Sequence, residues 1–162
     1  MAEAESGWDM TTRFERKCLD YLPVDLNALL YKYEADFAWA AGELDDPKDA
    51  KHWSAKAASR KHEVNKYMWH TRRGFYFDYN YNKGQGGDVW SLAGFYPMWL
   101  GLASDEQAAR MVKNIEKFEH SGGLSTTTRP LIDMSIFGSL KTQWAHPNGW
   151  APLHYAVIEG LK

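Results

Sequence analysis

A carboxylate next to a tryptophan is the first feature of this sequence that could do chemistry. The stretch "ESGWDMTTRFE", residues 5–15, places Asp9 directly after Trp8, and Arg13 follows four residues later. A carboxyl group that an indole partly desolvates tends to stay protonated, which is what a general acid needs near neutral pH. Asp9 is therefore a candidate general acid. The alternative is that Asp9 caps a helix beginning at Met10 and forms a surface ion pair with Arg13.

Aromatic residues are the second chemical signal. Eight Trp, nine Tyr and seven Phe make up 15% of the chain, and two of the tryptophans lie in the short stretch "QWAHPNGWAP", residues 143–152. Aromatic side chains fill many protein cores, and flat aromatic faces also pack against the C–H faces of pyranose rings. Composition favours the core interpretation but leaves a sugar site open.

Other residue types that often do chemistry lack the necessary context. His52 and His62 lie ten residues apart on a charged helix. His146, inside the aromatic stretch, and His154, just after it, lack the spacing of a metal pair. The glycine-rich "GQGG" at 84–87 has no strand–helix context for phosphate and is interpreted as a flexible turn. Cys18 is alone, so an internal disulfide is excluded.

Charge and hydropathy exclude several classes of partner. The formal net charge of −2 gives no bulk attraction to nucleic acid or to acidic membranes, and no apolar run approaches the length of a bilayer span. The N-terminal "MAEAESGWDM" lacks the basic and apolar regions of a signal peptide. This slightly favours a cytoplasmic protein, although the start resembles the interior of a longer chain and leaves the compartment open.

Helical patterns must position these groups. Helices are predicted over 23–42, over 45–69 with Asp46 as N-cap, from about Asp88 to 103, over 104–123 with a capping box at Ser104 and Gln107, and from Ala151 to the end. Between them, 74–88 is predicted to be extended and then to turn. The connection 122–152 is predicted to be a structured functional loop, because Leu131, Ile132, Ile136 and Phe137 are too apolar for disorder.

The result is an all-α chain of helical hairpins. Some of its helices are apolar on more than one side, so they cannot bury all their apolar faces within five helices. Self-association or a complementing chain is therefore expected.

Three stretches together resemble one family. "ESGWDMTTRFE", "PVDLNALLYKYE" and "QWAHPNGWAP" are similar, in this order, to motifs of the trehalase family of glycoside hydrolases. "KYMWHTRRGFYFDYNYN" and "MWLGLASDEQAARMV" resemble the segments between them, so the resemblance covers nearly all 162 residues.

The resemblance implies a fold, a reaction and a set of site residues. The fold is an (α/α)6 barrel, of which this chain would be the middle part, and the reaction is inverting hydrolysis of trehalose to two glucose molecules without a cofactor. Asp9 stands where the family keeps its general acid, and Arg13 is expected to orient Asp9 or its neighbours rather than to contact the sugar. The implied substrate-binding set is Trp8, Arg13, Gln143, Trp144, Asn148, Gly149 and Trp150, with the two loop tryptophans as walls of the glucose site.

Three departures from the family pattern limit what can be carried over. The general base, a glutamate, belongs downstream of Lys162, and the glycine-rich first signature belongs upstream of Asp9. The family aspartate that follows Gln-Trp is Ala145 here. Two alternatives follow from these departures and from the breadth of the acid motif. One is a non-catalytic sugar-binding or structural remnant, and the other is a related barrel glycosidase that acts on another α-glucoside.

Overall fold

The computed structural model describes residues 2–128 and 142–162 of the chain. Its helices are α1 (Ala2–Glu5), α2 (Val24–Glu43), α3 (Pro47–Met68), α4 (Tyr96–Trp99), α5 (Asp105–Val112) and α6 (Ala151–Gly160). Its two-residue strands are β1 (Tyr21–Leu22), β2 (Trp69–His70), β3 (Phe75–Tyr76), β4 (Tyr79–Asn80), β5 (Gln85–Gly86), β6 (Glu119–His120) and β7 (Gly123–Leu124). The predictions for Leu131, Ile132, Ile136 and Phe137 lie outside the described residues.

The first two long helices form the predicted hairpin. Pro23 is the extended N-cap of α2, where its missing N–H costs nothing. The Asp46 carboxylate accepts a hydrogen bond from the Asp49 N–H at 3.0 Å, which confirms the predicted cap of α3. Across the hairpin, Arg60 donates to both carboxylate oxygens of Glu34 at 2.8 and 2.9 Å. This two-point contact fixes the rotation of one helix against the other.

Short antiparallel strands bring distant parts of the chain together. The order of the three-stranded sheet is β1-β4-β5, and Tyr21 lies opposite Asn80. β2 pairs with β3, and β6 pairs with β7. The predicted extended segment is confirmed by β3 and β4, and its pairing places the chain after Phe77 beside the beginning of α2. The predicted flexible turn at 84–87 is wrong in part, because Gln85–Gly86 form β5 against β4.

The third helix starts later in the structure than the predicted start at Asp88. Residues 88–91 are not helical, and regular structure starts with a 3-10 turn over Leu92–Phe95 that leads into α4. Ser91 instead forms an isolated antiparallel β-bridge with Thr127. The turn is buried, as predicted, and a Cβ at Gly94 would lie only 2.2 Å from the Phe75 ring. Only glycine allows the backbone to pass this close to the core.

The fourth predicted helix ends sooner than expected. The capping box of Ser104 and Gln107 is present at its start, as predicted. The α-helix stops at Val112, and a 3-10 turn over Ile115–Phe118 leads into β6. Asn114 ends it, because its side-chain amide donates to the carbonyls of Arg110 and Gly74 at 3.1 and 3.3 Å. The last predicted helix, α6, is confirmed.

Aromatic side chains dominate the core, while parts of the α2 surface stay uncovered. Large apolar side chains on α2 are exposed, among them Leu26, Tyr33, Phe37 and Trp39. These uncovered faces match the expectation that some helices are apolar on more than one side. In the described part of the chain, no helix is both long and apolar enough to span a bilayer. The core cluster contains Trp8, Phe14, Tyr21, Phe75, Tyr76, Phe77, Phe95, Phe118 and smaller apolar residues.

Candidate functional site

A buried arginine organises the segment that carries the candidate acid. The side chain of Arg13 has no exposed surface, and its guanidinium binds two carboxylates. Nη1 and Nη2 donate to Asp25 at 2.9 and 2.6 Å, while Nε and Nη2 donate to Asp78 at 2.6 Å each. Asp25 comes from the first turn of α2, and Asp78 lies between β3 and β4. Arg13 thus connects three separate segments through charge-assisted hydrogen bonds.

The surroundings move the pKa values of the three groups in different directions. Burial would raise the pKa of Asp25, but Arg13, the Leu26 N–H and the Trp8 indole together lower it below its usual range. Burial raises the pKa of Asp78, because Arg13 is shared with Asp25 and offsets only part of the desolvation. Burial would lower the pKa of Arg13, but the two carboxylates raise it above its usual range. Arg13 therefore remains charged at any physiological pH.

Trp8 connects this charged cluster with Asp9, the next residue in the chain. The Trp8 indole N–H donates to Asp25 at 2.8 Å, and the Arg13 guanidinium lies 4.3 Å from the centre of the indole ring. Trp8 is only 5% exposed. A cation over the ring and a carboxylate at its N–H fix both the position and the tilt of the indole. The backbone direction at Asp9 is fixed with it.

Asp9 itself is half-buried and lies in irregular backbone. Met10 has a φ of 49°, and no helix begins there, so the helix-cap alternative is wrong. The expected surface ion pair with Arg13 is wrong as well, because the salt bridges of Arg13 go to Asp25 and Asp78. The Asp9 carboxylate accepts no hydrogen bond from any described residue. It remains available for a proton donor or acceptor role toward a bound molecule.

The candidate acid and the aromatic loop meet through their backbones. The Trp144 N–H donates to the Asp9 carbonyl at 3.2 Å, and the Gln143 N–H donates to the Met10 carbonyl at 3.1 Å. The Thr11 hydroxyl donates to the Trp144 carbonyl at 2.8 Å. The sequence placed these two stretches more than 130 residues apart. The structure brings them into contact.

Three tryptophans line this junction. The Trp144 and Trp150 rings stack in parallel, with centroids 4.7 Å apart and planes inclined by 9°. Trp8 tilts against Trp144 at 5.6 Å. Both loop tryptophans are half-exposed, and the Trp150 indole N–H donates to the Gln143 carbonyl at 3.1 Å. Such a partly exposed aromatic surface is the kind that packs on the C–H face of a sugar.

The loop is closed by hydrogen bonds of its own. The Asn148 side-chain amide donates to the carbonyls of Thr142 and Gln143 at 2.9 and 3.1 Å, and its backbone N–H donates to the Ala145 carbonyl. The Asn148 amide nitrogen therefore shapes the loop. The Gln143 side chain is exposed and makes no hydrogen bond to any described residue. Of these two candidate sugar ligands, Gln143 has the freer polar group.

A hydroxyl-rich segment after β7 supports the loop. The Thr126 N–H and hydroxyl both donate to the Asn148 carbonyl, at 2.8 and 2.7 Å. The Thr127 hydroxyl accepts from the His146 N–H at 2.9 Å. Both threonines are fully buried. A Cβ at Gly149 would lie 2.8 Å from the Leu124 carbonyl, so glycine is required there for the loop to approach the β6–β7 hairpin.

Ala145, the departure from the family pattern, faces inward. It is 1% exposed, and the residue after it is bound to Thr127. A methyl group thus occupies a buried place at the base of the loop. The alanine packs there without an unpaired polar atom.

Sequence reasoning missed several residues that position this site. Asp25 looked like an ordinary acidic residue in a first helical turn, and Thr126 and Thr127 belonged to an unassigned connection. Asp78 carried a weak signal, because it is the one carboxylate inside an aromatic alternating segment. Among the described residues, no group of three or more His, Cys, Asp or Glu could hold a metal.

Comparison with known proteins gives a consistent result. A family model described as trehalase matches residues 2–162. The cytosolic neutral trehalase of Kluyveromyces lactis is 38% identical over 168 residues, which cover 97% of this chain and 22% of that protein. The periplasmic trehalase of Xanthomonas axonopodis pv. citri is 34% identical over 172 residues, which cover 99% of this chain and 28% of that protein.

A solved structure agrees with these matches. The neutral trehalase Nth1 from Saccharomyces cerevisiae has a TM-score of 0.85 at 39% identity, covering 96% of this chain and 30% of that one. The chain therefore spans less than a third of the length of each of these relatives. The predicted fold, an all-α set of helical hairpins from an (α/α)6 barrel, is confirmed.

Proposed function

Since the chain belongs to the trehalase family, we propose that it supplies the general acid and one wall of the glucose site for inverting hydrolysis of trehalose to two glucose molecules. The observation that carries this proposal is the junction of Asp9 with the tryptophan loop, where the Trp144 N–H donates to the Asp9 carbonyl at 3.2 Å. This junction combines a carboxyl group that could protonate a leaving-group oxygen with an aromatic surface that could hold a sugar ring.

Asp9 donates the proton in this proposal. An inverting glycosidase protonates the glycosidic oxygen with one carboxylic acid while a second carboxylate activates water on the opposite face of the sugar. The Asp9 carboxyl is half-buried and accepts no hydrogen bond from a described residue, so a bound disaccharide can reach it. The base would come from sequence outside these 162 residues, at the separation of about 6.5–9.5 Å that inversion requires.

The stacked pair Trp144 and Trp150 forms the wall. Aromatic rings offer a large apolar surface that loses little conformational entropy on binding, so they hold a pyranose ring efficiently. The exposed amide of Gln143, next to Trp144, would hydrogen-bond sugar hydroxyls. The Asn148 amide and Gly149 shape the loop, and their support for binding is mainly through its conformation.

Arg13 and Trp8 act by positioning Asp9. Both are almost completely buried, at 1% and 5% exposure, and four of the five Arg13 N–H groups are used on Asp25 and Asp78. A guanidinium committed in this way has little capacity left for a sugar. The cluster instead holds the residue before Asp9, and the loop holds the backbone of Asp9 itself.

The decisive experiment is glucose release from trehalose by the polypeptide that contains this segment. Asp9→Asn keeps the size of the side chain but removes its acidic proton, so we expect a loss of about 10²–10⁴-fold in kcat. Asp36→Asn is the matched control, because Asp36 is exposed on α2 and its carboxylate pairs with Lys32. Equal rates for the parent and Asp9→Asn would reject Asp9 as the acid. A panel of other α-glucosides in the same assay tests the substrate.

A second candidate function is a sugar-binding or structural remnant without turnover. The buried Ala145 favours it, because the family motif carries a carboxylate at this position and its loss removes hydrogen-bond acceptors from the loop. Calorimetry with trehalose and glucose separates the two candidates. Binding without glucose release supports the remnant, and turnover that depends on Asp9 rules it out.

A further inference from the structure

His154 occupies an unusual position between the loop and the β6–β7 hairpin. It lies in the first turn of α6, four residues after Trp150. Its Nε2 atom accepts a hydrogen bond from the Leu124 N–H at 2.8 Å, and its Nδ1 atom lies 2.9 Å from the Trp150 carbonyl. One imidazole therefore connects β7 with the last residue of the tryptophan wall.

The two partners determine which nitrogen carries the proton. A backbone N–H can only donate, so Nε2 must be unprotonated toward Leu124. A backbone carbonyl can only accept, so Nδ1 must carry the hydrogen toward Trp150. The contacts are complete only for the neutral ring in its Nδ1–H form. The first turn of a helix also disfavours a positive charge, because the helix dipole is positive at that end.

Two glycines fit closely around the ring. A Cβ at Gly123 would lie 2.8 Å from Nε2, and a Cβ at Gly149 would lie 3.0 Å from Cε1. The hairpin backbone and the loop backbone thus approach the imidazole from two sides. A ring held at this closeness cannot turn away to relieve an unfavourable contact without moving the loop or the hairpin.

We propose that neutral His154 is a positioning residue of the sugar site, and that it holds the Trp144–Trp150 wall against the β6–β7 hairpin until it is protonated. This inference rests on the proposed function only for the identity of the wall as a glucose surface. The connection between Leu124, His154 and Trp150 can be measured without any substrate.

The sign of the pH effect follows from the contacts. Protonation places a hydrogen on Nε2, which then faces the Leu124 N–H, so a hydrogen bond is replaced by two opposed donors. The connection is therefore present at higher pH and lost as the pH falls. Other titratable groups lie on the elements around His154: Glu119 and His120 on β6, His146 in the loop, and Tyr155, Glu159 and the exposed Lys162 on and after α6. The His120 and His146 rings lie 5.0 Å apart, so His120 is the titratable neighbour to remove as a control.

Histidine 15N resonances test the tautomer directly. In protein labelled with 15N in histidine, we expect the His154 ring at pH 8 to show a protonated Nδ1 and an unprotonated Nε2. A ring protonated at Nε2, or at both nitrogens, at pH 8 overturns the proposal. This measurement uses the unmodified protein, so it remains decisive even if a variant fails to fold.

Hydrogen exchange tests the connection to the hairpin. Between pH 8 and pH 5, we expect the protection factor of the Leu124 amide to fall about tenfold, the value of one backbone hydrogen bond. His154→Gln keeps an N–H donor and an acceptor but does not titrate, so the Leu124 protection factor in this variant should stay constant. His120→Gln is the matched control and should behave like the parent protein. A pH response that persists in His154→Gln overturns the proposal.

Kinetics with trehalose then connects this inference with function. We expect KM to rise as the pH falls in the parent and in His120→Gln but not in His154→Gln, with kcat affected less. An equal acid dependence of KM in all three proteins contradicts a positioning role. If glucose release is absent while the exchange results hold, the proposed function fails and the positioning role of His154 stands.

Discussion

The two sides of the candidate site are built by opposite means. On the acid side, Arg13 is buried between the carboxylates of Asp25 and Asp78, and all its side-chain hydrogen bonds join charged groups. On the wall side, the loop is held by neutral hydrogen bonds from backbone groups, by the hydroxyls of Thr126 and Thr127, and by stacked indole rings. Both sides meet at the backbone of Asp9.

This difference teaches where the site is sensitive. A buried charge without its partner is strongly destabilising, so the acid side depends on each member of the cluster. Neutral hydrogen bonds contribute about 1 kcal/mol each and are largely independent, so the wall side loses its order in steps. Mutations should therefore damage the acid side globally and the wall side locally.

The largest effect is expected at Arg13. Arg13→Met replaces the aliphatic part of the arginine but removes the guanidinium, which leaves the buried Asp25 and Asp78 carboxylates without a cation. We expect the free energy of unfolding to fall by about 3–5 kcal/mol, measured by urea denaturation at pH 7. The matched control is Arg72→Met, because Arg72 is exposed and should change stability by less than about 0.5 kcal/mol. A similar small loss for Arg13→Met would contradict the comparison.

The pH dependence of Asp25 sharpens the acid side of the comparison. The pKa of Asp25 is lowered, so its charge stabilises the fold above the unfolded pKa of about 3.9 and this stabilisation disappears as the pH falls through the folded value. Asp25→Asn should cost about 1.5–3 kcal/mol at pH 7, the range for a hydrogen bond to a charged group. The difference from the parent should stay constant from pH 7 to about pH 5 and shrink below about pH 4.

Asp78 provides the internal control for that measurement. Burial raises the pKa of Asp78, so its charged form is less favoured in the fold than in the unfolded chain. The stability of Asp78→Asn relative to the parent should therefore improve as the pH rises, opposite in sign to Asp25→Asn. Urea denaturation of both variants at several pH values checks this. If the unfolding free energies of the two variants changed with pH in the same direction, the two carboxylates would have pKa shifts of the same sign and the prediction would be wrong.

The sequence predicted most of the fold because its signals were local. Pro23, Asp46 and the Ser104–Gln107 box mark helix starts by chemistry that acts within one turn, and all three were placed correctly. The predicted start at Asp88 failed because Ser91 pairs with Thr127, a contact 36 residues away that overrides local preference. The predicted helix end at Gly123 was wrong for the same reason: α5 stops at Val112, because Asn114 binds Gly74 across the fold.

For the candidate site, the sequence singled out Asp9 and the loop tryptophans but not the residues that support them. Asp9, Trp144 and Trp150 stand in motifs whose residue types are unusual enough to be noticed alone. Asp25 and Asp78 become informative only when the fold places them against Arg13, because a single aspartate in a helix turn or a strand has many ordinary roles. The loop is also supported through its backbone, by Thr126, Thr127 and His154. Contacts with backbone atoms do not depend on the partner's residue type, so the sequence gives no signal for them.

A smaller effect is expected on the wall side at Thr127. Thr127→Val keeps the shape of the side chain but removes the oxygen that accepts from the His146 N–H at 2.9 Å. An unsatisfied buried N–H costs about 1–3 kcal/mol, and we expect the lower end because the loop can shift toward water. Amide exchange should speed up at His146 and leave the α2–α3 hairpin unchanged. Thr127→Ser keeps the oxygen and should restore protection; if it fails to do so, the hydroxyl is not what holds the loop.

The smallest effect on stability is expected at Trp150, where the comparison separates stability from function. Trp150→Phe removes the exposed hydrogen bond from the indole N–H to the Gln143 carbonyl and keeps an aromatic ring beside Trp144. We expect a loss of only about 0.5–1 kcal/mol in unfolding free energy, but a rise in KM for trehalose, because the wall loses area and its fixed orientation. Trp39→Phe is the control, since Trp39 is 68% exposed on α2 and should alter neither quantity. If Trp150→Phe instead destabilised the protein as much as Arg13→Met, the wall would be part of the same cooperative cluster as the acid side, and the two sides would not differ in kind.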